Sequence, residues 1–268
     1  MNLKTLPALA GLITLGMAFA ARAQSSDEEL AKQLANPVAA LISVPLQFNI
    51  DRDLGPDDAG DRLTLNIQPV VPFSLNEDWN LISRTILPII DQQDIFPGAG
   101  SQTGTGDIVQ SLFFSPKAPT AGGWIWGVGP VFLLPTGSNQ YLTADKWGLG
   151  PTAIALKQQG HLTYGALVNH IISVAGKGDR SAVNATFLQP FASITTPDGW
   201  TYSGSIEATR DWENQEWNVP VGLYTAKITK IGSQLVQFGG GIRYYVSSTD
   251  NGPEGLGFRF NVVLLYPR

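Results

Sequence analysis

From residue 38 to residue 266 the chain is a run of about twelve segments, each roughly ten residues long, in which apolar and polar side chains alternate. The connections between them alternate too: long ones begin near residues 51, 90, 136 and 174, and short ones near 76, 157, 195 and 229. Alternation with period two puts one set of side chains on each face of a strand, so this pattern predicts an all-β chain. The cleanest segment is Trp200 to Asp211. Trp200, Tyr202, Gly204, Ile206 and Ala208 share one face, and Thr201, Ser203, Ser205, Glu207, Thr209 and Asp211 share the other. A soluble sandwich hides its apolar face and shows charge to water. Here the apolar face carries aromatics near the strand ends, as do Trp79, Trp124, Trp217 and Tyr266 elsewhere, which suits contact with lipid and its interfaces.

The last segment, Gly257 to Tyr266, sets Phe258, Phe260, Val262, Leu264 and Tyr266 on one face. The other begins with Arg259 and Asn261 and ends with Val263 and Leu265, polar at one end and apolar at the other. Hydrocarbon tolerates no open sheet edge, so this segment is expected to pair with the first and close the sheet. The expectation is a transmembrane antiparallel up-and-down β-barrel of about twelve strands, an even number with short turns at one end and longer loops at the other.

Residues 1–23 have the form of a secretory signal, with Lys4 before an apolar run from Leu6 to Ala20 and Ala21-Arg22-Ala23 at the cleavage site. No later stretch approaches the roughly 20 apolar residues of a membrane helix. A net charge of −5 argues against nucleic acid as a partner, and the absence of cysteine removes disulfides and thiol chemistry. Residues 24–36 read as a short helix, with Ser26 as its cap and Leu30 and Leu34 on one face before Asn36-Pro37. Two readings stand for it: a frayed periplasmic tail, slightly preferred because so short a helix is marginal alone, or a plug in the mouth of the barrel formed by residues 37–268.

Several strings carry a resemblance. Glu29 to Pro37, Asn66-Ile-Gln-Pro69, Asn76 to Thr85, Trp126-Gly-Val-Gly-Pro130, Lys146 to Pro151, Phe187-Leu-Gln-Pro190 and Arg243-Tyr-Tyr245 are similar to a family of bacterial outer-membrane barrels described as transporters and sometimes mislabelled neuromedin U. More weakly, the chain resembles channels grouped with the MetA pathway of phenol degradation. The resemblance spans nearly the whole mature chain and implies an outer-membrane location and a transport role, with aromatic or hydrophobic solutes as cargo by association. It carries no catalytic residues. The aromatic that the family pattern usually shows near Ile172 is absent here.

Among residues that face inward by alternation, Arg243 and Arg259 fall opposite each other or one rung apart in the closing hairpin, roughly 5 to 8 Å between Cβ atoms. Like charges so close need a carboxylate or an anionic ligand between them, and Glu207, two strands away and inward-facing, is the nearest candidate. Arg243, Arg259 and Glu207, with Asp211 and Arg84, are therefore expected to form a charged lumen constriction that selects solutes, or a salt-bridge network that only stiffens the wall. The strand from Trp79 to Ile89 has no assignable faces, because Arg84 shares a side with Ile82 and Ile86. His170 would need an inward serine such as Ser173 or Ser193 to act as a catalytic base, but falls on the outer face with Tyr164 and Val168. His161 lies in a turn. The acidic stretch Asp51 to Asp61 lacks the ligand spacing of a calcium loop and reads as solvated external acid, and Gly239 to Gly241 as a barrel bend. No metal, cofactor or catalytic residue is expected. The leading expectation is a non-enzymatic passive channel for small solutes whose partners are outer-membrane lipid and solute. The alternative is a closed barrel serving as a lipid-modifying enzyme or surface scaffold.

Overall fold

The computed structural model describes residues 27–266, so the signal segment 1–23 and the Ser26 cap lie outside the described residues. One helix, α1 (Asp27–Leu34), precedes fifteen strand segments. They are β1 (Ile42–Leu54), β2 (Gly60–Ile67), β3 (Val70–Ser74), β4 (Trp79–Gln93), β5 (Ser101–Thr105), β6 (Ile108–Pro116), β7 (Trp124–Leu134), β8 (Lys146–Gln159), β9 (Leu162–Gly176), β10 (Asn184–Thr195), β11 (Trp200–Ile206), β12 (Ala208–Asp211), β13 (Glu216–Ile231), β14 (Gln234–Ser247) and β15 (Gly255–Tyr266). Three pairs, β2 with β3, β5 with β6 and β11 with β12, are continuations of single strands, so the wall has twelve antiparallel staves. β15 pairs with β1 from Tyr266–Ile42 to Phe258–Ile50, and β10 pairs with β9 along eleven residues, which closes the sheet. Closure leaves no row of unpaired backbone groups, the condition for a sheet in hydrocarbon.

The alternation decides the faces as expected. Tyr202, Phe260 and Leu223 point away from the barrel, while their neighbours Thr201 and Arg259 are buried within it. β4, whose faces the sequence left open, turns Ile82, Arg84 and Ile86 inward: Ile82 is fully buried in an interior cluster, and Arg84 and Ile86 line a cavity. One end of the barrel holds the tight turns and the start of β1. There Asn76 Oδ1 accepts hydrogen bonds from the backbone N–H groups of Asp78 and Trp79, at 2.9 and 2.8 Å. The other end holds the longer loops. Asp107 orders the one between β7 and β8, accepting from Gly137 N, Thr143 Oγ1 and Ala144 N at 2.7 to 3.0 Å.

The lumen is not polar throughout, which corrects the simplest barrel expectation. At the turn end Val38, Ile82, Phe113, Ile154, Leu156 and Leu167 form a dry cluster. A second cluster joins Leu30 and Ala31 of α1 to Leu41, Ile228, Val263 and Leu265. The apolar end of the inner face of β15 is therefore the seat of the helix. An eight-residue helix is too short to hold in water without such packing. Gln158 Nε2 donates to Lys32 O at 2.8 Å, and Glu28 accepts from Lys32 and lies 3.0 Å from His161 Nδ1. These contacts overturn the frayed-tail reading: the segment is docked in the barrel mouth. Lys32 and His161 hold the Glu28 carboxyl below its ordinary range, the Lys32 hydrogen bond first.

Candidate functional site: a charged belt across the lumen

The inward residues of β1 are Gln47, Asn49 and Asp51, and those of the neighbouring stave β2–β3 include Arg62, Thr64, Asn66 and Gln68. Gln68 follows β2 at the break before Pro69, and its Nε2 donates to Gln47 Oε1 at 3.2 Å. Its own Oε1 accepts from Arg84 Nη2 at 3.0 Å. Arg259 Nε donates to Asn49 Oδ1 at 2.7 Å, and its Nη1 and Nη2 grip both oxygens of Glu207 at 2.6 and 2.9 Å. In the orientation that accepts from Gln68, Gln47 Nε2 donates to Asn49 Oδ1 at 3.4 Å. Gln189 Nε2 reaches Glu207 Oε1 at 3.4 Å. Arg84, Gln68, Gln47, Asn49, Arg259, Glu207 and Gln189 thus make one hydrogen-bonded belt.

Above this belt, toward the loops, Arg243 Nη1 donates to Asp51 Oδ1 and Oδ2 at 3.1 and 3.3 Å, and Tyr245 Oη donates to Asp51 Oδ1 at 2.9 Å. Arg243 Nη2 stands 4.0 Å from Glu207 Oε2. Arg259 lies directly across from Gly241 on β14, and Arg243 from Gly257 on β15, so the two arginines sit one rung apart. Gly257 is what lets the acid in. A Cβ there would stand 2.8 Å from Asp51 Oδ1, so a side chain would push that carboxylate from Arg243. Arg243, Arg259 and Asp51 are each less than a tenth exposed, and charges so buried persist only when paired.

Of the five residues expected at the constriction, the structure brings Arg243, Arg259 and Glu207 into contact and places Arg84 in the same belt. Asp211 is a correction. It lies at the loop end of β12, where its oxygens accept from Glu213 N, Asn214 N and Asn214 Nδ2 and so cap the turn to β13. Asp51 is a second correction, since it is not solvated external acid. β1 runs on to Leu54, and Asp51 keeps the inward parity of Gln47 and Asn49, a signal present in the sequence. Arg62, at the far end of that stretch, was missed for the same reason, whereas Tyr245 shares the inward parity of Arg243 two residues before it and drew no notice because it carries no charge.

His170 lies on the outer face, as expected, with Nδ1 2.9 Å from Thr186 Oγ1, which also accepts from Trp212 Nε1 at 2.8 Å. Ser193 points inward with its hydroxyl unpartnered, and Ser173 Oγ accepts from Val183 N. The wall of the barrel separates His170 from Ser193.

Three hollows surround the belt. The largest, about 540 Å³, lies on the loop side, and two of about 260 and 240 Å³ lie on the turn side against α1. Gln47, Gln68, Arg84 and Gln189 border both the first and the second, while Gln189, Glu207 and Arg259 border both the first and the third.

No protein-family model and no curated protein sequence matches the chain. Solved structures do. An outer-membrane channel from Pseudomonas putida F1 is similar with a TM-score of 0.66 at 12% identity, over 85% of this chain and 96% of that one. The outer-membrane phospholipase A of Escherichia coli aligns at TM-score 0.46 and 12% identity, covering 83% and 96%. The β domain of the Bordetella autotransporter BrkA aligns at 0.46 and 12%, covering 85% and 100%. The first of these likenesses shows a shared fold, the closed antiparallel β-barrel.

Proposed function

We propose that the protein resides in the outer membrane and is a passive channel for small solutes, a member of the transporter-like barrels that its sequence resembles. The observation that carries this reading is the belt itself. Hollows lie on both sides of it and the same side chains border each, so what divides the lumen is side chains, which change rotamer, rather than backbone. Twelve strands enclose more than the roughly eight that fill their own interior and fewer than the sixteen of a wide porin, which suits a narrow, selective conduit. Movement is diffusion past the belt without energy coupling, and α1 narrows the turn-side exit.

No catalytic function is part of this reading: Ser193 stands on the opposite face of the wall from His170, and the hydroxyl beside His170, that of Thr186, is engaged by Trp212 Nε1. Single-channel recording of refolded protein in potassium chloride tests the reading, with steps of conductance expected. A silent protein that instead releases fatty acid from labelled phospholipid would replace it with the enzyme.

A further inference from the structure

The loop-side hollow has two chemically different walls. On one, β1, β2, β14 and β15 present Gln47, Asn49, Asp51, Thr64, Asn66, Arg243, Tyr245 and Arg259. On the other, Ile86, Val109 and Leu133 stand directly across from one another on β4, β6 and β7. Ile171 and Ala185 continue the row on β9 and β10. Gly148, on the intervening β8, makes the row continuous: a Cβ there would meet Ile171 Cγ2 at 2.6 Å and Leu133 Cβ at 2.9 Å. The result is an apolar shelf facing a polar wall, in a hollow of the size that takes a small ligand.

The charges of the hollow do not balance. Four arginines line it, Arg62, Arg84, Arg243 and Arg259, against two carboxylates, Asp51 and Glu207. Asp51 answers Arg243, and Glu207 answers Arg259. Arg62 stands directly across from Asp51 on the adjacent strand and donates to Gln92, so its charge is partly met. Arg84 is met least. Among the described residues no carboxylate lies within 4 Å of it, Glu207 acts on it only from a distance, and its one hydrogen bond goes to an amide. Arg84 is also one rung, roughly 7 Å, below Ile86 on the same face of β4, so of the two cations left over it is Arg84 that stands at the foot of the shelf.

We propose that this hollow binds an organic monoanion with an apolar body, its carboxylate on Arg84 and Gln68 and its hydrocarbon on Ile86, Val109, Leu133 and Ile171. Arg84 is the single guanidinium at the foot of the shelf, and it sets the charge at one, because a fork of N–H donors fits one carboxylate. The shelf sets the body, because a bare inorganic anion gains nothing from it. Arg84 borders the turn-side hollow as well, so the binding place lies on the route through the belt. The site names a cargo for the proposed channel, and its route rests on that reading, although binding itself does not.

The test uses refolded full-length protein and three probes, namely benzoate, acetate and uncharged benzamide. Benzoate is expected to bind in detergent, by calorimetry, at least tenfold more tightly than acetate or benzamide. Arg84→Gln lowers benzoate affinity tenfold or more, Arg84→Lys restores part of it, and Arg62→Gln changes it less than threefold. Leu133→Asn brings benzoate down to the level of acetate. In bilayers benzoate interrupts the chloride current with dwell times that fall in the same order. Equal affinity for benzamide and benzoate, or an unchanged affinity in Arg84→Gln that still shows the heat-dependent mobility of a folded barrel, overturns the site. A protein that binds benzoate but never conducts keeps the site and loses the channel.

Discussion

The two ends of this lumen are built from the same staves and behave as different materials. At the turn end the inward positions are Ile82, Phe113, Ile154, Leu156 and Leu167, buried against one another, with Leu30 and Ala31 of the helix seated beside them. At the loop end the inward positions of the same strands include Arg84 on β4, Ser111 on β6 and Asn169 on β9, bordering space. The barrel is therefore half core and half vestibule. Core gains stability from apolar contact, while the vestibule keeps its shape because each buried charge is tied to a defined partner. Removing a side chain should act differently in each half.

The largest effect is expected in the belt. Glu207→Ala leaves Arg259 and Arg243 less than a tenth exposed without the carboxylate they share, and uncompensated buried charge costs about 3–5 kcal/mol. Urea unfolding in detergent should show the loss. Conductance should at the same time shift toward anions, because the belt gains one positive charge. If stability holds and selectivity does not move, the belt neither stiffens the wall nor filters solutes.

Next comes the packed half. Phe113 is fully buried, and Phe113→Ala should cost about 3 kcal/mol, with little change in ion preference since no charge is touched. A change of selectivity as large as that of Glu207→Ala would break the division into two halves. Leu30→Ala follows, at about 2 kcal/mol taken from the docking of α1 rather than from the barrel. Its readout is a rise in open-channel conductance without a shift in the barrel's own unfolding midpoint. Unchanged conductance would mean that the helix does not narrow the exit.

How far the sequence spoke for each half follows from the same difference. Strand number, closure and the inward parity of Arg243, Arg259 and Glu207 depend on period two alone, which survives in any antiparallel wall. Asp51 kept that parity as well. It was obscured by Asp57, Asp58 and Asp61, which made one acidic loop of what is the end of β1 and a turn. Asp211 shows the converse: its parity is inward, but it stands at a strand tip, where an oxygen caps the nearest free N–H. The dry half was harder to read. Alternation leaves Val263 and Leu265 at the apolar end of a lumen face without a partner, and only the three-dimensional position of a helix more than 220 residues earlier accounts for them.

The smallest effect concerns the seam between helix and barrel. Glu28 touches Lys32 one turn on and His161 in the turn between β8 and β9, and these contacts depress its carboxyl. A group whose folded value is depressed contributes stability above its unfolded value and loses that contribution as pH falls through the folded one. For a glutamate that window lies below about pH 4, so acidification should loosen α1 only there. The pair is open to water, which keeps the effect modest beside the loss of Leu30. Conductance recorded from pH 6 to pH 3 should therefore rise at the acid end, and Glu28→Gln should hold it near that acid-end level throughout and so flatten the profile. A rise already complete at pH 5, or one that persists unaltered in Glu28→Gln, would move the switch to another group and leave apolar contact as all that holds the helix.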